Sequence, residues 1–314
     1  MPEFALPFTK LDKKSVKLAG GKGANLGEMT KAGIPVPPGF VVLSSAFERF
    51  LKESKIGVEI DAELDRLNHK DLTSVDRFSH ETRDMIRRAK IPADLQKEFL
   101  AHFNKLGAKF VAVRSSATAE DSKTASWAGE LETYLYVDKA KLLNTIKTCW
   151  SSLFTPRAIF YRFEKKLHKT KVSVAVVVQK MVNSEKAGVS FTAHPVTKDR
   201  NQMVIEAGWG LGESIVSGRI TPDTYVVDKR DLNILDVNVS HQEEMIVKKG
   251  QSGSAVVKVK KSEQDKQILS GKEIIELAKI CKNIERHYRQ PQDIEWAFEK
   301  GKFYIVQTRP ITTL

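Results

Sequence analysis

Apolar residues recur at helical spacing through much of the first half of the chain. Residues 44–107 are predicted to be mostly helical. In the clearest segment, IPADLQKEFLAHFNKLG, the apolar residues fall on one face and Gly107 ends the helix. A shorter helix is predicted over residues 24–32, capped by Gly33. Residues 139–168 return to helical spacing, with one apolar stripe formed by Leu142, Ile146, Trp150 and Leu153.

Short apolar runs rich in β-branched residues predict strands, which dominate after about residue 186. One helix, residues 271–288, interrupts them before a final hairpin, QDIEWAFEKGKFYIVQTRP, with its turn at KG. The other predicted strands are the end of GIPVPPGFVV, then KFVAVRSSA, GELETYLYVD, KVSVAVVVQKMV, AGVSFTAHP, NQMVIEAGW, DTYVVDK and SAVVKVKK. The order of elements predicts an α+β fold with a helix-rich lobe over about residues 1–185, a strand-rich lobe over about 186–314, and a cleft between them.

Composition narrows the class of protein. The 314 residues are 41% hydrophobic, which is typical of a folded globular chain. No apolar run is long enough for a membrane span, and the N-terminus lacks the pattern of a signal peptide. Cys149 and Cys281 match no metal-binding spacing. We therefore expect a reduced, cytoplasmic protein without a membrane partner.

The net charge of +12 is spread along the whole chain and mixed with acidic residues. Nucleic-acid binding usually shows a clustered basic patch with interleaved aromatic residues. The dispersed pattern favours an anionic small-molecule substrate and predicts no nucleic-acid partner.

The final hairpin carries the most informative polar residues. Gln307 and Arg309 are two positions apart, so they share a face of their strand, and pairing across the turn brings Glu295 beside them. A carboxylate, an amide and a guanidinium on one face could hold Mg²⁺ and a phosphate. Without further evidence, an ordinary polar outer face explains such a triple equally well.

Two earlier segments offer further candidates, each with a simpler alternative. Arg114 follows an apolar strand and begins a hydroxyl-rich loop, which suits anion binding, although a salt bridge to Glu120 or Asp121 would also explain it. The segment DSKTASWAGELETYL is rich in small residues and could form a lid over a polyphosphate, with Gly129 close to the ligand. It could equally be a surface loop anchored by Trp127.

Two glycine-rich segments fail the best-known nucleotide patterns. GGKGANLGEM leads into a helix, but no Ser or Thr follows Lys22 and the Walker spacing is absent. GWGLGES does not have the spacing of a dinucleotide fingerprint.

Six segments, taken together and in this order, resemble the ATP-grasp domain of phosphoenolpyruvate synthases, which also occurs in pyruvate phosphate dikinases and rifampin phosphotransferases. The resemblance covers essentially the whole chain as one ATP-grasp unit, and WAGELETYL is closer to the synthase and rifampin branches. The six segments are GGKGANLGEMTKAGIPVPPGF, VRSSATAEDS, SWAGELETYL, GVSFTAHPVT, EAGWGLGESIVSG and DIEWAFEKGKFYIVQTRPIT.

The resemblance implies a set of site residues. Lys22, Arg114 and Arg309 would contact the ATP phosphates and act in catalysis, and Glu295 and Gln307 would bind Mg²⁺. The remaining ATP contacts would come from Gly129 and Thr133 of the lid, and from Gln179 with the backbone of Met181 and Val182 beside the adenine.

The resemblance also implies an activity that needs a partner. The module would bind Mg-ATP between its lobes and pass the β-phosphoryl group to a histidine, with release of AMP and phosphate. That histidine would lie on a swivelling domain, in cis or in trans, because none of the seven histidines in this chain lies in a Thr/Ser-x-His-Ala motif. His194 is interpreted as a turn residue. Two alternatives stay open: the ATP-binding domain of a rifampin-type antibiotic phosphotransferase, and a non-catalytic nucleotide-binding regulatory subunit.

Overall fold

The computed structural model describes residues 3–118, 132–165, 172–250 and 253–312. The chain divides into two compact units: Met1–Glu28 with Pro38–Met181, and Met29–Pro37 with Val182–Leu314. Among the described residues, no helix is both long and apolar enough to cross a membrane. Both units combine helices with antiparallel sheet, so the predicted α+β class is confirmed.

The first unit contains most of the helices, in agreement with the predicted helical stretch of residues 44–107. Its described elements are β1 (Ala5–Pro7), α1 (Val16–Lys31, which continues into the second unit), β2 (Gly39–Val42), α2 (Ser44–Glu53), α3 (Ile56–Asp65), α4 (Leu72–Arg88), α5 (Ala93–Leu106), β3 (Val111–Ala117), β4 (Thr133–Val137), α6 (Leu142–Ser151), α7 (Pro156–Glu164) and β5 (Val174–Lys180).

One sheet, in the order β1-β2-β5-β3-β4, organises the first unit. Alternate residues of its strands pack into a large apolar core with helices α2 to α7, which includes Val113, Val176 and Trp150. The other residues of the same strands point to the opposite face. The sheet therefore has a helix-covered core face, and Arg114, Ser116 and Gln179 lie on the other face.

Two helices differ from their predicted extents. The helical stretch predicted over 139–168 breaks after Phe154, where Thr155 caps a new helix whose first residue is Pro156. Proline fits at that position because the first turn of a helix has no partner for its N–H. The helix predicted over 24–32 begins earlier, at Val16, and is interrupted at Gly20.

The second unit is built on a sheet in the order β13-β12-β6-β7-β8-β9. One long helix packs on it through residues such as Leu277 and Cys281, which are fully buried. The described elements are β6 (Lys186–Phe191), β7 (Gln202–Trp209), α8 (Glu213–Val216), β8 (Asp223–Asp228), β9 (Ile234–Asn238), β10 (Glu244–Lys248), β11 (Ser254–Lys258), α9 (Gly271–Tyr288), β12 (Gln292–Glu299) and β13 (Lys302–Pro310). Strands β9 and β10 have no counterpart in the sequence-based prediction.

The final hairpin and the helix before it match the prediction. Helix α9 spans the predicted residues, and Ser270 and Glu273 cap its N-terminus reciprocally. Strands β12 and β13 pair across a turn in which Lys300 and Gly301 both have positive φ, 50° and 76°. Two positive φ values match the twist of a two-residue hairpin, so this turn fixes the register from Glu299 back to Trp296. A bulge between Glu295 and Trp296 then shifts the pairing by one residue and sets Gln307 directly across from Glu295.

Candidate functional site

In the first unit, three of the predicted site residues lie on one face of the sheet. Arg114 on β3 is paired with Thr133 on β4, and Gln179 on β5 is paired with Ala112 on β3. Paired residues share a face, and Ala112 and Arg114 are two positions apart. Arg114 does not lie at the end of its strand, as the sequence suggested, but in the middle of β3, and its side chain is buried.

Helix α1 brings Lys22 to the same face. Gly20 has φ 65° and ψ 173°, a conformation open only to glycine, and a Cβ there would lie 2.5 Å from the carbonyl oxygen of Ser116. Gly23, one turn further along, packs against Val41 of β2, and a Cβ added there would lie 3.0 Å from a methyl group of Val41. The glycines of GGKG thus let a helix start directly on the sheet, with the half-buried Lys22 in its first turn.

The predicted adenine border lies at the end of β5. Gln179 is fully buried there, and the N–H of Met181 donates to the carbonyl oxygen of Phe110 at 3.1 Å. That N–H already has an acceptor, so the Met181 carbonyl is the backbone group better suited to a ligand. Val182, which is also buried, is the residue at which the second unit resumes.

The second unit presents its candidate residues on the sheet face opposite α9. Glu295 lies directly across from Gln307, whose Nε2 donates to the Glu295 carboxylate at 2.9 Å. Arg309 lies across from Asp293 and donates from Nε to its carboxylate at 2.7 Å, while half of the Arg309 side chain stays exposed. The predicted proximity of Glu295, Gln307 and Arg309 is confirmed, and Asp293 joins them.

Two acidic residues on this face were missed from the sequence. Following the register from Glu295 through Val189 leads to Glu206 on β7, on the same face. Burial raises the pKa of Glu206, and the charge of Asp293 adds to the shift. Burial also raises the pKa of Asp293 against the opposing effect of Arg309. Asp293 could have been found from its spacing of two from Glu295, whereas Glu206 needs the register of three strands.

The hairpin fits a Mg²⁺ ion that is held mainly by a nucleotide. Among the described residues, no three His, Cys, Asp or Glu side chains are grouped so that they could bind a metal. Glu295 and Gln307 supply a carboxylate and an amide, both hard oxygen donors. Mg²⁺ commonly takes only one or two protein carboxylates and completes its shell with water and substrate phosphates.

His194 stabilises the turn after β6, in agreement with its predicted role as a turn residue. Its Nδ1 accepts hydrogen bonds from the backbone N–H groups of Val196 and Thr197, at 3.3 and 3.2 Å. Its backbone carbonyl accepts a further bond from the N–H of Lys198 at 2.9 Å. These bonds give the imidazole a local structural role.

Part of the predicted site lies outside the described residues. This applies to Gly129, to Trp127 and the rest of the lid segment, and to Glu120 and Asp121, the alternative partners of Arg114. Thr133, at the start of β4, is described and exposed. The interpretation of the lid therefore stays a prediction.

Side chains suited to phosphates in the first unit, and to a hard cation in the second, are typical of a nucleotide-binding domain. The comparison with known families agrees. The chain belongs to the family described as the pyruvate phosphate dikinase AMP/ATP-binding domain, which matches residues 16–314. The resemblance stated from the sequence is thereby confirmed.

The chain is similar to part of several longer proteins. It is 48% identical over 319 residues to a probable phosphoenolpyruvate synthase of Methanocaldococcus jannaschii, covering 99% of this chain and 27% of that protein. It is 42% identical to the phosphoenolpyruvate synthase of Pyrococcus furiosus, covering 98% of this chain and 43% of that one. It is 37% identical to the rifampicin phosphotransferase of Bacillus subtilis, covering 100% and 36%. The chain thus spans between about a quarter and a half of the length of these relatives.

Proposed function

We propose that this chain is the Mg-ATP-binding module of a phosphoenolpyruvate synthase-like dikinase with an ATP-grasp fold. Its nucleotide site would draw on residues of both units, in the cleft that the resemblance implies. The observation that carries the proposal is the hydrogen-bonded pair of Glu295 and Gln307 on one face of a hairpin, in a chain of this family.

In the proposed site, charged groups neutralise the phosphates and a hydrogen bond orients one of those groups. Lys22, Arg114 and Arg309 would place positive charge around the phosphates, where negative charge shifts during phosphoryl transfer. Bound Mg²⁺, held by Glu295 and Gln307, would neutralise phosphate charge. Asp293 holds the guanidinium of Arg309 in one orientation, because the two groups share a hydrogen bond of 2.7 Å.

The proposed reaction passes the β-phosphoryl group of ATP to a histidine on a swivelling domain, in cis or in trans. The bond from the β-phosphorus to the α–β bridging oxygen breaks, and a bond to the histidine nitrogen forms. Water attacks the γ-phosphorus and the bond from it to the β–γ bridging oxygen breaks, so the products are AMP, inorganic phosphate and the phosphohistidine. The similarity to phosphoenolpyruvate synthases, which reaches 48% identity, supports this reaction over the alternatives.

A second candidate is the nucleotide module of a rifampin-type phosphotransferase. The similarity to the Bacillus subtilis rifampicin phosphotransferase, which covers the whole chain at 37% identity, supports it. Both candidates make the same use of Mg-ATP, and they differ in the final acceptor of the phosphoryl group. Full-length protein offered pyruvate or rifampin with ATP would separate them by product.

The test of the proposal is the dependence of ATP binding on Mg²⁺. For the unaltered chain, calorimetric titration should show tighter ATP binding with Mg²⁺ than without it. Glu295→Ala should lose this tightening, about tenfold or ~1.4 kcal/mol. Glu299→Ala, on the same strand but near the turn, is the matched control and should keep it. Equal Mg²⁺ enhancement in Glu295→Ala and the unaltered chain would remove the metal assignment.

A further inference from the structure

A network of three side chains holds the start of β4 on the helix-covered side of its sheet. Glu132 lies one residue before the strand. One of its carboxylate oxygens accepts a hydrogen bond from the phenol of Tyr134, and the other accepts one from Nη2 of Arg83 in α4 at 3.0 Å. Burial, and then the bond to Glu132, raise the pKa of the Tyr134 phenol, so it remains a donor at neutral pH.

The main chain of Glu132 is held as well. Its carbonyl oxygen accepts hydrogen bonds from both the N–H and the hydroxyl of Ser115 on β3, at 3.1 and 3.2 Å. Burial first, and then the charge of Glu132, raise the pKa of the Cys149 thiol on α6. A residue bound at its carboxylate and at its carbonyl has few accessible conformations.

The next residue along the chain belongs to the other face. Thr133 pairs with Arg114, and successive residues of a strand point to opposite faces. Glu132 therefore points to the helices while Thr133 lies on the face that carries Arg114 and Gln179. The network and the face that carries Arg114 therefore lie on opposite sides of the sheet at the start of β4.

We propose that Arg83 is a positioning residue for the nucleotide site. Through Glu132 it fixes the backbone at the start of β4, and so the geometry of Thr133 beside Arg114. This inference rests on the proposed binding of Mg-ATP. Arg83 and Glu132 are only 23% and 29% exposed, and in a largely buried ion pair the cost of desolvation offsets much of the attraction. Stability alone is thus a weak reason for such a network.

The experiment compares nucleotides that differ in their phosphates. Arg83→Met keeps the apolar stem of the side chain and removes its charge. We expect its affinity for Mg-ATP to fall about tenfold, because small misplacements of contacting groups cost large factors. Its affinity for AMP should stay within about twofold, because adenine is proposed to contact β5 rather than β4. Arg88→Met is the matched control, since Arg88 lies on the same helix, is 81% exposed and pairs with Asp84 one turn away.

Two further variants separate positioning from folding. Arg83→Lys keeps the charge and should recover part of the ATP affinity. Tyr134→Phe removes one donor to Glu132 while keeping the ring, and it should weaken ATP in the same selective way if Arg83→Met does not fold. Thermal unfolding followed by circular dichroism identifies any variant that fails to fold.

Each outcome has a distinct meaning. If the unaltered chain does not bind Mg-ATP, the proposed function fails, and this inference fails with it. If the unaltered chain binds Mg-ATP, and Arg83→Met and Tyr134→Phe bind it as tightly as the unaltered chain does, only the role of Arg83 is overturned. Equal losses for ATP and AMP would also overturn it, because they would indicate general distortion. Selective loss of ATP, with partial recovery in Arg83→Lys, supports it.

Discussion

At the scale of single residues, the most informative group is a carboxyl that the sequence did not point to. Glu206 is half-buried on the same sheet face as Glu295, and its pKa is raised by burial and by Asp293. A raised pKa means that the folded state favours the protonated acid. Glu206 therefore adds to the stability of the fold at pH values below the pKa that it has in the unfolded chain. This stabilisation is lost as the pH rises through the higher pKa that Glu206 has in the folded state.

The raised pKa of Glu206 gives a prediction for the stability of Glu206→Gln. The amide resembles the protonated acid, so the variant should be more stable than the unaltered chain at pH 7. The gain should be no more than about 1 kcal/mol, because solvent screens a half-exposed group. At about pH 4, near the usual pKa of glutamate, the difference should shrink towards zero. Urea unfolding at the two pH values measures both differences.

The control for this prediction is Glu276→Gln, which alters an exposed glutamate on α9. It should change the free energy of unfolding by a similar small amount at both pH values. A gain for Glu206→Gln that is independent of pH would contradict the titration argument, since removing a charge matters only where the charge exists.

At the scale of elements, the start of α1 is the clearest case of backbone geometry that creates a site. Gly20 combines a conformation reserved for glycine with close approach to Ser116. Gly20→Ala should therefore destabilise the chain by about 2–4 kcal/mol, the sum of backbone strain and overlap. It should also weaken ATP binding, because Lys22 is two residues away.

Gly33→Ala provides the comparison for Gly20→Ala. Gly33 also has a positive φ, 73°, but a Cβ there would meet nothing within 4 Å. Strain alone should cost it about 1–2 kcal/mol, with ATP binding unchanged. Urea unfolding and calorimetry on both variants measure these effects. Equal losses of stability would show that contact with Ser116 is unimportant.

Elements were predictable from the sequence where local chemistry decided them. Gly107 ends α5 in the left-handed conformation, and the KG turn fixes the last hairpin, so both followed from residue type and spacing. Strand β9 was missed because it is a mostly exposed edge strand, ILDVN, without a clear alternation of buried residues. Pro156 was passed over inside a helical pattern, although it begins a new helix.

The candidate site was predictable only in part, because local pairing can be predicted from the sequence whereas contacts between distant segments cannot. Glu295, Gln307 and Arg309 lie in one hairpin, so their proximity follows from local pairing, but the bulge that sets Gln307 directly across from Glu295 was not predicted. Glu206 and the network of Arg83 with Glu132 depend on contacts between distant segments, which spacing along the chain does not encode. Arg114 was expected at a strand end because hydroxyl residues follow it, but Ser115 and Ser116 continue β3.

At the scale of the whole molecule, the proposed module has candidate ligands for the phosphoryl donor, Mg-ATP, but its sequence has no recognised motif for the phosphoryl acceptor. Candidate residues for phosphate come from both units, and those for Mg²⁺ from the second. None of the histidines lies in a Thr/Ser-x-His-Ala motif, and His194 is engaged in its turn through Nδ1. Most of the rate of such a reaction comes from holding donor and nucleophile in line. The chain should therefore bind ATP without modifying itself.

The final prediction tests that separation of donor from acceptor. With ATP labelled at the β-phosphate, these 314 residues alone should take up no stoichiometric label. Adding a protein that carries the swivelling histidine domain should yield AMP, phosphate and an acid-labile, base-stable phosphohistidine on that partner. Lys22→Ala and Arg309→Ala should each slow this transfer by a factor equivalent to ~2–4 kcal/mol, the usual scale for one charged contact in the transition state. Stoichiometric label on His194 of the isolated chain would refute both the modular proposal and the structural role assigned to that histidine.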